Sequence, residues 1–225
     1  MHNKKISSFN DFSETIRHIG FCTASNDDRI FNLKKYYDIN IINHTGNIET
    51  DPWEWRIRSV KETDFMVYGK FFLKKAGWIT VDWLPYFILL RRGNKSFDEM
   101  YNEGLMDFME KKIYDCIIRN HEISVHDLKF EIGYQKSDKS RFDIALTNLQ
   151  MKLLITICGD SYKTSLEGKP FGWPVTMVCS LDEKVGSYIN SSQTDYEKAY
   201  NALVSNIKKF NPNASERDIK KFILG

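Results

Sequence analysis

Several features that would assign this sequence to a function class directly are missing. The cysteines form no Cys-x-x-Cys pair, the histidines lack zinc-finger spacing, and there is no phosphate-binding glycine loop or nucleophile elbow. We therefore expect no metal, no organic cofactor and reduced core thiols. No apolar run approaches about 18 residues, and no apolar stretch follows the first five residues. This pattern predicts a cytoplasmic protein that does not insert into membranes.

Strong charge of one sign is also absent. Lys and Arg total 32, Asp and Glu total 30, and the net charge is +2. A protein that binds phosphates over its whole surface is usually more basic, so any nucleic-acid contact must depend on a local patch. The 225 residues, 42% of them hydrophobic, suffice for one large domain or two small ones, each with its own core.

The stretch from 123 to 181 has the clearest pattern. Ser124, with Asp127 three residues on, resembles a capping box at the start of a short helix. Gly133 is placed to end that helix. A second helix is predicted over 137–151, with Ser137 or Ser140 as its N-cap. Apolar runs over 153–158 and 175–179 flank a Gly/Pro-rich loop and predict a hairpin. With a helix over 105–119 before them, these elements predict a winged helix.

The second helix has an apolar stripe that we assign to the core, made of Phe142, Ala145, Leu146, Leu149 and Leu153. The opposite face carries no charge and holds Ser137, Ser140, Ile144, Thr147, Asn148 and Met151. A DNA reader needs donors and cations there. The candidate nucleic-acid contacts are Lys139, Ser140, Lys163, Lys169, Arg91 and Arg92. The alternative is that Ile144 and Met151 pack on the aromatic segment, which would indicate a structural or protein-binding role.

The segment over 53–87 is unusually aromatic, with ten aromatic residues in 35. Asp51 with Pro52 predicts a helix start, and Gly69 and Gly77 are interpreted as breaks between short strands. One interpretation is a plain core. The other is a pocket lined by Trp53, Trp55, Arg56, Tyr68 and Trp83. Its candidate catalytic acids are Asp51, Glu54 and Asp82.

Six short motifs carry a resemblance to a known family. They are Asp-Pro-Trp-Glu-Trp-Arg at 51–56, Tyr-Gly-Lys-Phe-Phe at 68–72, Gly-Trp-Ile at 77–79, Trp-Leu-Pro at 83–85, Leu-Thr-Asn-Leu-Gln at 146–150 and Gly-Trp-Pro at 172–174. Over roughly residues 8 to 180 the sequence resembles bacterial AlkZ-related proteins, relatives of the winged-helix alkylpurine and cross-link DNA glycosylases. Those glycosylases use a Gln-x-Gln or Gln-x-Asp pair to position water. We expect no such pair at Gln135, Gln150 or Gln193, the three glutamines of the sequence, so the resemblance supplies no catalytic residue.

The sequence as a whole predicts a mostly helical α+β protein. Its parts would be an aromatic-rich α+β region at 1–95, a winged-helix module at 96–181 and a helical extension at 182–225. The favoured function is binding of DNA or of a DNA-processing partner. One alternative is a glycosylase-like enzyme that acts on a flipped base, and the other is a protein-interaction scaffold.

Overall fold

A single antiparallel sheet runs through the protein, flanked by helices. The structure is a computed structural model that describes residues 5–25, 28–164, 167, 170–186 and 195–225. The six strands found there are β1 Phe21–Thr23, β2 Met66–Phe72, β3 Lys75–Thr80, β4 Glu122–Ser124, β5 Ile155–Thr164 and β6 Pro170–Ser180. Their order in the sheet is β1-β3-β2-β5-β6-β4. The predicted α+β class is therefore confirmed.

Ten α-helices accompany the sheet in the described residues. They are α1 Phe9–Ile19, α2 Pro52–Glu62, α3 Leu84–Arg92, α4 Phe97–Asn102, α5 Phe108–Asn120, α6 Val125–Glu131, α7 Lys139–Met151, α8 Leu181–Val185, α9 Tyr196–Phe210 and α10 Glu216–Leu224. Between Asn120 and Lys139 the chain forms β4 and α6, and β4 pairs with β6 at the edge of the sheet. The helix predicted to begin at Leu105 begins at Phe108, because Asp107 and Glu110 form a capping box there.

Two hydrophobic cores lie on either side of the contact between β2 and β5, where Tyr68 pairs with Ile157. The first core combines the aromatic segment with α1, α9 and α10, and the Phe222 ring of α10 stacks on Phe72 at 4.2 Å. The second core joins α4, α5, α6 and α7 to the β5–β6 hairpin. The C-terminal helices therefore help to bury the aromatic residues of the first region.

The helix starts predicted at Asp51 and Ser124 are confirmed, and local caps set other helix starts as well. The side chains of Ser8, Asp51, Ser96 and Ser124 each accept a hydrogen bond from a backbone N–H in the first turn of the helix that follows. Gly133, at the end of α6, has a φ of 64°, as expected for a C′ glycine. These predictions hold because each depends on a few consecutive residues.

Gly69 and Gly77 do not break the strands, contrary to the prediction. They lie inside β2 and β3 and pair with each other. The connecting turn is at Leu73 and Lys74, where φ is 52° and 63°. A Cβ on Gly77 would lie 2.3 Å from the carbonyl oxygen of Cys22, so this glycine permits the close approach of β1 to β3.

The start of α7 also differs from the prediction, since neither Ser137 nor Ser140 caps it. Asp138 occupies the N-cap position, after a 3₁₀ turn over Lys136–Asp138. The Asp138 carboxylate accepts a hydrogen bond from the backbone N–H of Gln135 (2.9 Å) and makes no capping bond to α7. The first turn of α7 therefore has no side-chain cap.

The buried side of α7 is wider than predicted. Phe142, Ala145 and Leu149 are fully buried as expected. Thr147, predicted to face outward, is buried, and Gln150 is buried because its Oε1 accepts a hydrogen bond from the backbone N–H of Lys70 (2.9 Å). Helix α7 thus packs against its own core and against β2 as well. Ile144 is 51% exposed, so it is not buried against another part of the chain as the alternative interpretation required.

Candidate functional site

An open cleft of about 440 Å³ lies between the start of α2, the loop before it and the face of β2 and β3. Among the residues predicted to form a pocket, Trp53, Arg56 and Tyr68 line this cleft. The remaining lining residues include Lys34, Tyr37, Asn43, His44 and Trp78. Sequence reasoning missed the loop residues because residues 21–50 carry no periodic pattern.

Two of the predicted pocket residues belong to the first core or pack against it: Trp55 is buried within it, and the partly buried Trp83 packs on it. Trp55 is fully buried, packs on Phe12 at 5.4 Å, and donates its indole N–H to the Glu49 carbonyl (3.1 Å). The Trp83 ring packs edge-on against Phe21 at 5.3 Å. Neither tryptophan is among the residues that line the cleft. Trp53 is exposed and Trp55 is buried because they are two positions apart on α2 and therefore point to different sides of the helix.

Arg56 is held in place along one wall of the cleft. Its Cζ lies 3.3 Å from the centroid of the Trp53 ring, and its Nε donates to the Trp53 carbonyl (2.8 Å). Burial raises the pKa of Tyr68, while a hydrogen bond with Arg56 opposes that rise. Trp53 remains 39% exposed, and the His44 ring lies 4.5 Å from it. The cleft therefore presents a fixed guanidinium beside partly exposed aromatic rings.

The three candidate acids are not placed for proton transfer in the cleft. The buried Asp51 caps α2: its Oδ1 accepts from Trp53 N–H (2.8 Å), and its Oδ2 from the N–H groups of Thr45 (2.7 Å) and Gly46 (3.1 Å). Burial raises the Asp51 pKa, but these backbone hydrogen bonds outweigh burial and hold the pKa below 3.8. Glu54 is half-buried, Asp82 is exposed, and neither lines the cleft.

Arg91 and Arg92, predicted as phosphate contacts, are turned into the protein. Arg91 donates to the carbonyls of Phe71 (2.6 Å), Ile223 (2.7 Å), Met151 (2.9 Å) and Phe222 (2.9 Å). Burial lowers the Arg91 pKa to about 9. Arg92 is 6% exposed and pairs with Asp182 at 2.6 Å. Because both residues lie at the end of α3, they were predicted to be surface cations. Their guanidinium groups instead bond to residues far away in the sequence.

The remaining predicted contacts lie at the start of α7 and on the hairpin. Lys139 and Ser140 are exposed, as are the neighbouring Lys136 and Arg141. The side chain of Lys163 and all of Lys169 lie outside the described residues. The structure thus places a small group of exposed cations at one end of α7.

A second open cleft, of about 670 Å³, separates α7 from β6. Leu146 and Gln150 of α7 line one side, and Trp173 and Pro174 of β6 line the other. Trp173 is 84% exposed. The hairpin therefore lies beside α7 with a groove between them.

Comparison with known protein families gives a match over nearly the whole chain. The sequence profile described as AlkZ related matches residues 6–224. The chain belongs to the AlkZ-related family. This membership suggests a function related to DNA repair. Neither a curated protein nor a solved structure matches the chain.

One glutamine of this AlkZ-related protein does have the glycosylase spacing. Gln193 precedes Asp195 by two residues, which corrects the prediction that the chain has no Gln-x-Asp pair. Gln193 lies outside the described residues, and Asp195 caps α9 by accepting the Lys198 N–H (2.8 Å). In the described part of the chain, no three His, Cys, Asp or Glu side chains are grouped to hold a metal ion. None of the helices described there is both long and apolar enough to span a bilayer.

Proposed function

We propose that this AlkZ-related protein binds double-stranded DNA through a winged-helix domain, residues 108–180, with α7 as its recognition helix. The order α5, β4, α6, α7, β5, β6, with β4 paired to β6, is the observation that carries the proposal. In a helix-turn-helix protein the second helix of the motif enters the major groove, and its N-terminal residues contact the DNA. The β5–β6 hairpin would be the wing.

The exposed end of α7 has the chemistry that this role needs. Lys136, Lys139 and Arg141 are exposed there, and Ser140 adds a hydroxyl donor. The first turn has no side-chain cap, so the positive end of the helix dipole favours an anion there. Ile144, one turn further along, is 51% exposed and could contact a thymine methyl group.

The hairpin supplies the second part of the proposed interface. Lys163 and Lys169 are proposed as wing contacts to phosphate on sequence grounds. Trp173, which is 84% exposed, lies on the same hairpin. Arg91 and Arg92 are not part of the proposed interface, because their guanidinium groups donate hydrogen bonds to other residues of the protein.

The test is duplex binding at low salt, measured by fluorescence anisotropy. The variant Lys136→Ala/Lys139→Ala/Arg141→Ala should weaken binding strongly, because it removes cations from the proposed contact. The control Arg217→Ala/Lys220→Ala/Lys221→Ala removes the same charge from exposed positions on α10. It should bind nearly as well as wild type. Equal weakening in both variants, or no binding by the wild type, would exclude the α7 interface.

The glycosylase-like alternative receives less support from the geometry. Proton transfer to a flipped base needs an acid or base within hydrogen-bonding reach of the base. The Asp51 carboxylate is committed to backbone donors, and Glu54 and Asp82 do not line the aromatic cleft. The described lining favours ligand binding over acid–base chemistry.

A further inference from the structure

The charge distribution around the aromatic cleft is one-sided. Its described lining includes Lys34, Arg56 and His44 but no Asp or Glu. Tyr37 also lines the cleft, and burial raises its pKa, so its phenol stays neutral near pH 7. The described lining is therefore neutral to positive and suits an anion.

Arg56 differs from neighbouring cations in having no carboxylate partner among the described residues. Arg58 pairs with Glu49 (2.9 Å) and Glu62 (2.8 Å), and Lys61 pairs with Asp160 (2.6 Å). The Cζ of Arg56 instead lies 3.3 Å from the centroid of the Trp53 ring, and its Nε donates a hydrogen bond to the Trp53 carbonyl. Besides the hydrogen bond that it shares with Tyr68, a guanidinium fixed in this way has further Nη donors for a ligand and loses little side-chain entropy when it binds phosphate.

The rest of the cleft suits a flat ring. The Tyr68 and Trp78 rings lie 4.9 Å apart on paired strands but are only 4% and 2% exposed. The accessible ring is that of Trp53 on α2, which is 39% exposed and has the His44 ring 4.5 Å from it. The volume of about 440 Å³ falls within the range of roughly 300–1,000 Å³ that is usual for small-ligand sites. A ligand that matches both features carries a planar ring and an anionic group.

We propose that this cleft binds a nucleoside 5′-monophosphate, with the phosphate on Arg56 and the base against the aromatic rings. The phosphate would come from a free mononucleotide or from the 5′ end of a DNA strand, which present the same chemistry. The site is separate from the exposed end of α7 and does not depend on duplex binding there.

The experiment titrates the full-length protein with deoxyadenosine 5′-monophosphate and follows binding by calorimetry. Wild type should bind this nucleotide and bind unphosphorylated deoxyadenosine at least ~10-fold more weakly, because the nucleoside lacks the charge-assisted contact. Arg56→Gln should lose a similar factor. The matched control is Arg17→Gln, since Arg17 also lies over an aromatic ring, that of Phe65 (3.8 Å), and is exposed outside the cleft. It should bind like wild type.

The proposal is overturned if the nucleotide does not bind, if the nucleoside binds equally well, or if Arg56→Gln binds normally while its circular dichroism matches wild type. Single strands with a 5′-phosphate or a 5′-hydroxyl show which source of the phosphate the cleft binds. Tighter binding of the phosphorylated strand supports a strand end. Equal binding of the two strands, with mononucleotide affinity retained, supports a free nucleotide. The Lys136→Ala/Lys139→Ala/Arg141→Ala variant should still bind the mononucleotide. Failure of duplex binding is therefore distinguishable from failure of the cleft.

Discussion

Replacing Asp51 separates a structural role from a catalytic one. The Asp51 carboxylate accepts hydrogen bonds from the backbone N–H groups of Trp53, Thr45 and Gly46, and the residue has no solvent exposure. Asp51→Ala removes the cap of α2, which costs ~0.5–2 kcal/mol. It also leaves the Thr45 and Gly46 N–H groups without the Asp51 acceptor, but both residues are exposed, so water can replace much of that interaction. We expect a total loss of ~1–3 kcal/mol.

Urea unfolding followed by circular dichroism at neutral pH measures this loss. Asp51→Asn should be intermediate, because its carbonyl can replace the cap but its amide meets the Thr45 and Gly46 donors. Glu54→Ala, on the same helix, is the control and should change stability by no more than ~0.5 kcal/mol. If Asp51→Ala is folded and as stable as wild type, the structural role is refuted, and Asp51 is again a candidate catalytic acid.

The pH dependence of this loss has a defined sign. Because the pKa of Asp51 is lowered in the folded protein, the stability it supplies is fully present above the ordinary value of 3.8. That stability is lost as the pH falls through the lowered pKa. The difference in unfolding free energy between wild type and Asp51→Asn should therefore be constant near neutral pH and shrink only in strong acid.

Three further outcomes follow from packing. Leu149→Ala should cost ~2–5 kcal/mol because Leu149 is fully buried, whereas Ile144→Ala should cost under ~0.5 kcal/mol in the same urea titration. Gln150→Ala should cost ~1–3 kcal/mol by leaving the Lys70 N–H without its acceptor, and equal stability would show that water replaces the amide. Arg91→Lys should lower the melting temperature, since one ammonium cannot reach the four carbonyls that Arg91 bonds; an unchanged melting temperature would contradict this.

Sequence reasoning succeeded where the deciding interactions are local. The helix starts at Asp51 and Ser124 were predicted because each cap depends on residues two or three positions away. The phase of α7 followed from apolar spacing for Phe142, Ala145 and Leu149. Within the functional site, the pattern identified Trp53, Arg56 and Tyr68 as neighbours of a pocket.

Apart from the misplaced starts of α5 and α7, the errors concern contacts between distant segments. Gln150 is buried because it meets β2, 80 positions away, and Arg91 is buried because it meets Ile223, 132 positions away. Gly77 is required by the approach of the Cys22 carbonyl. His44 enters the cleft from a loop without periodicity. None of these contacts leaves a periodic or capping signal in one sequence, so only the assembled fold reveals them.

The claim that the start of α7 contacts DNA phosphates is tested most directly by the salt dependence of duplex affinity. The logarithm of the binding constant should fall linearly with the logarithm of salt concentration in wild type, by roughly 0.9 per neutralised phosphate. In the Lys136→Ala/Lys139→Ala/Arg141→Ala variant the slope should be shallower by about one for each lost contact. An identical slope in both proteins, or binding that does not respond to salt, would contradict the account.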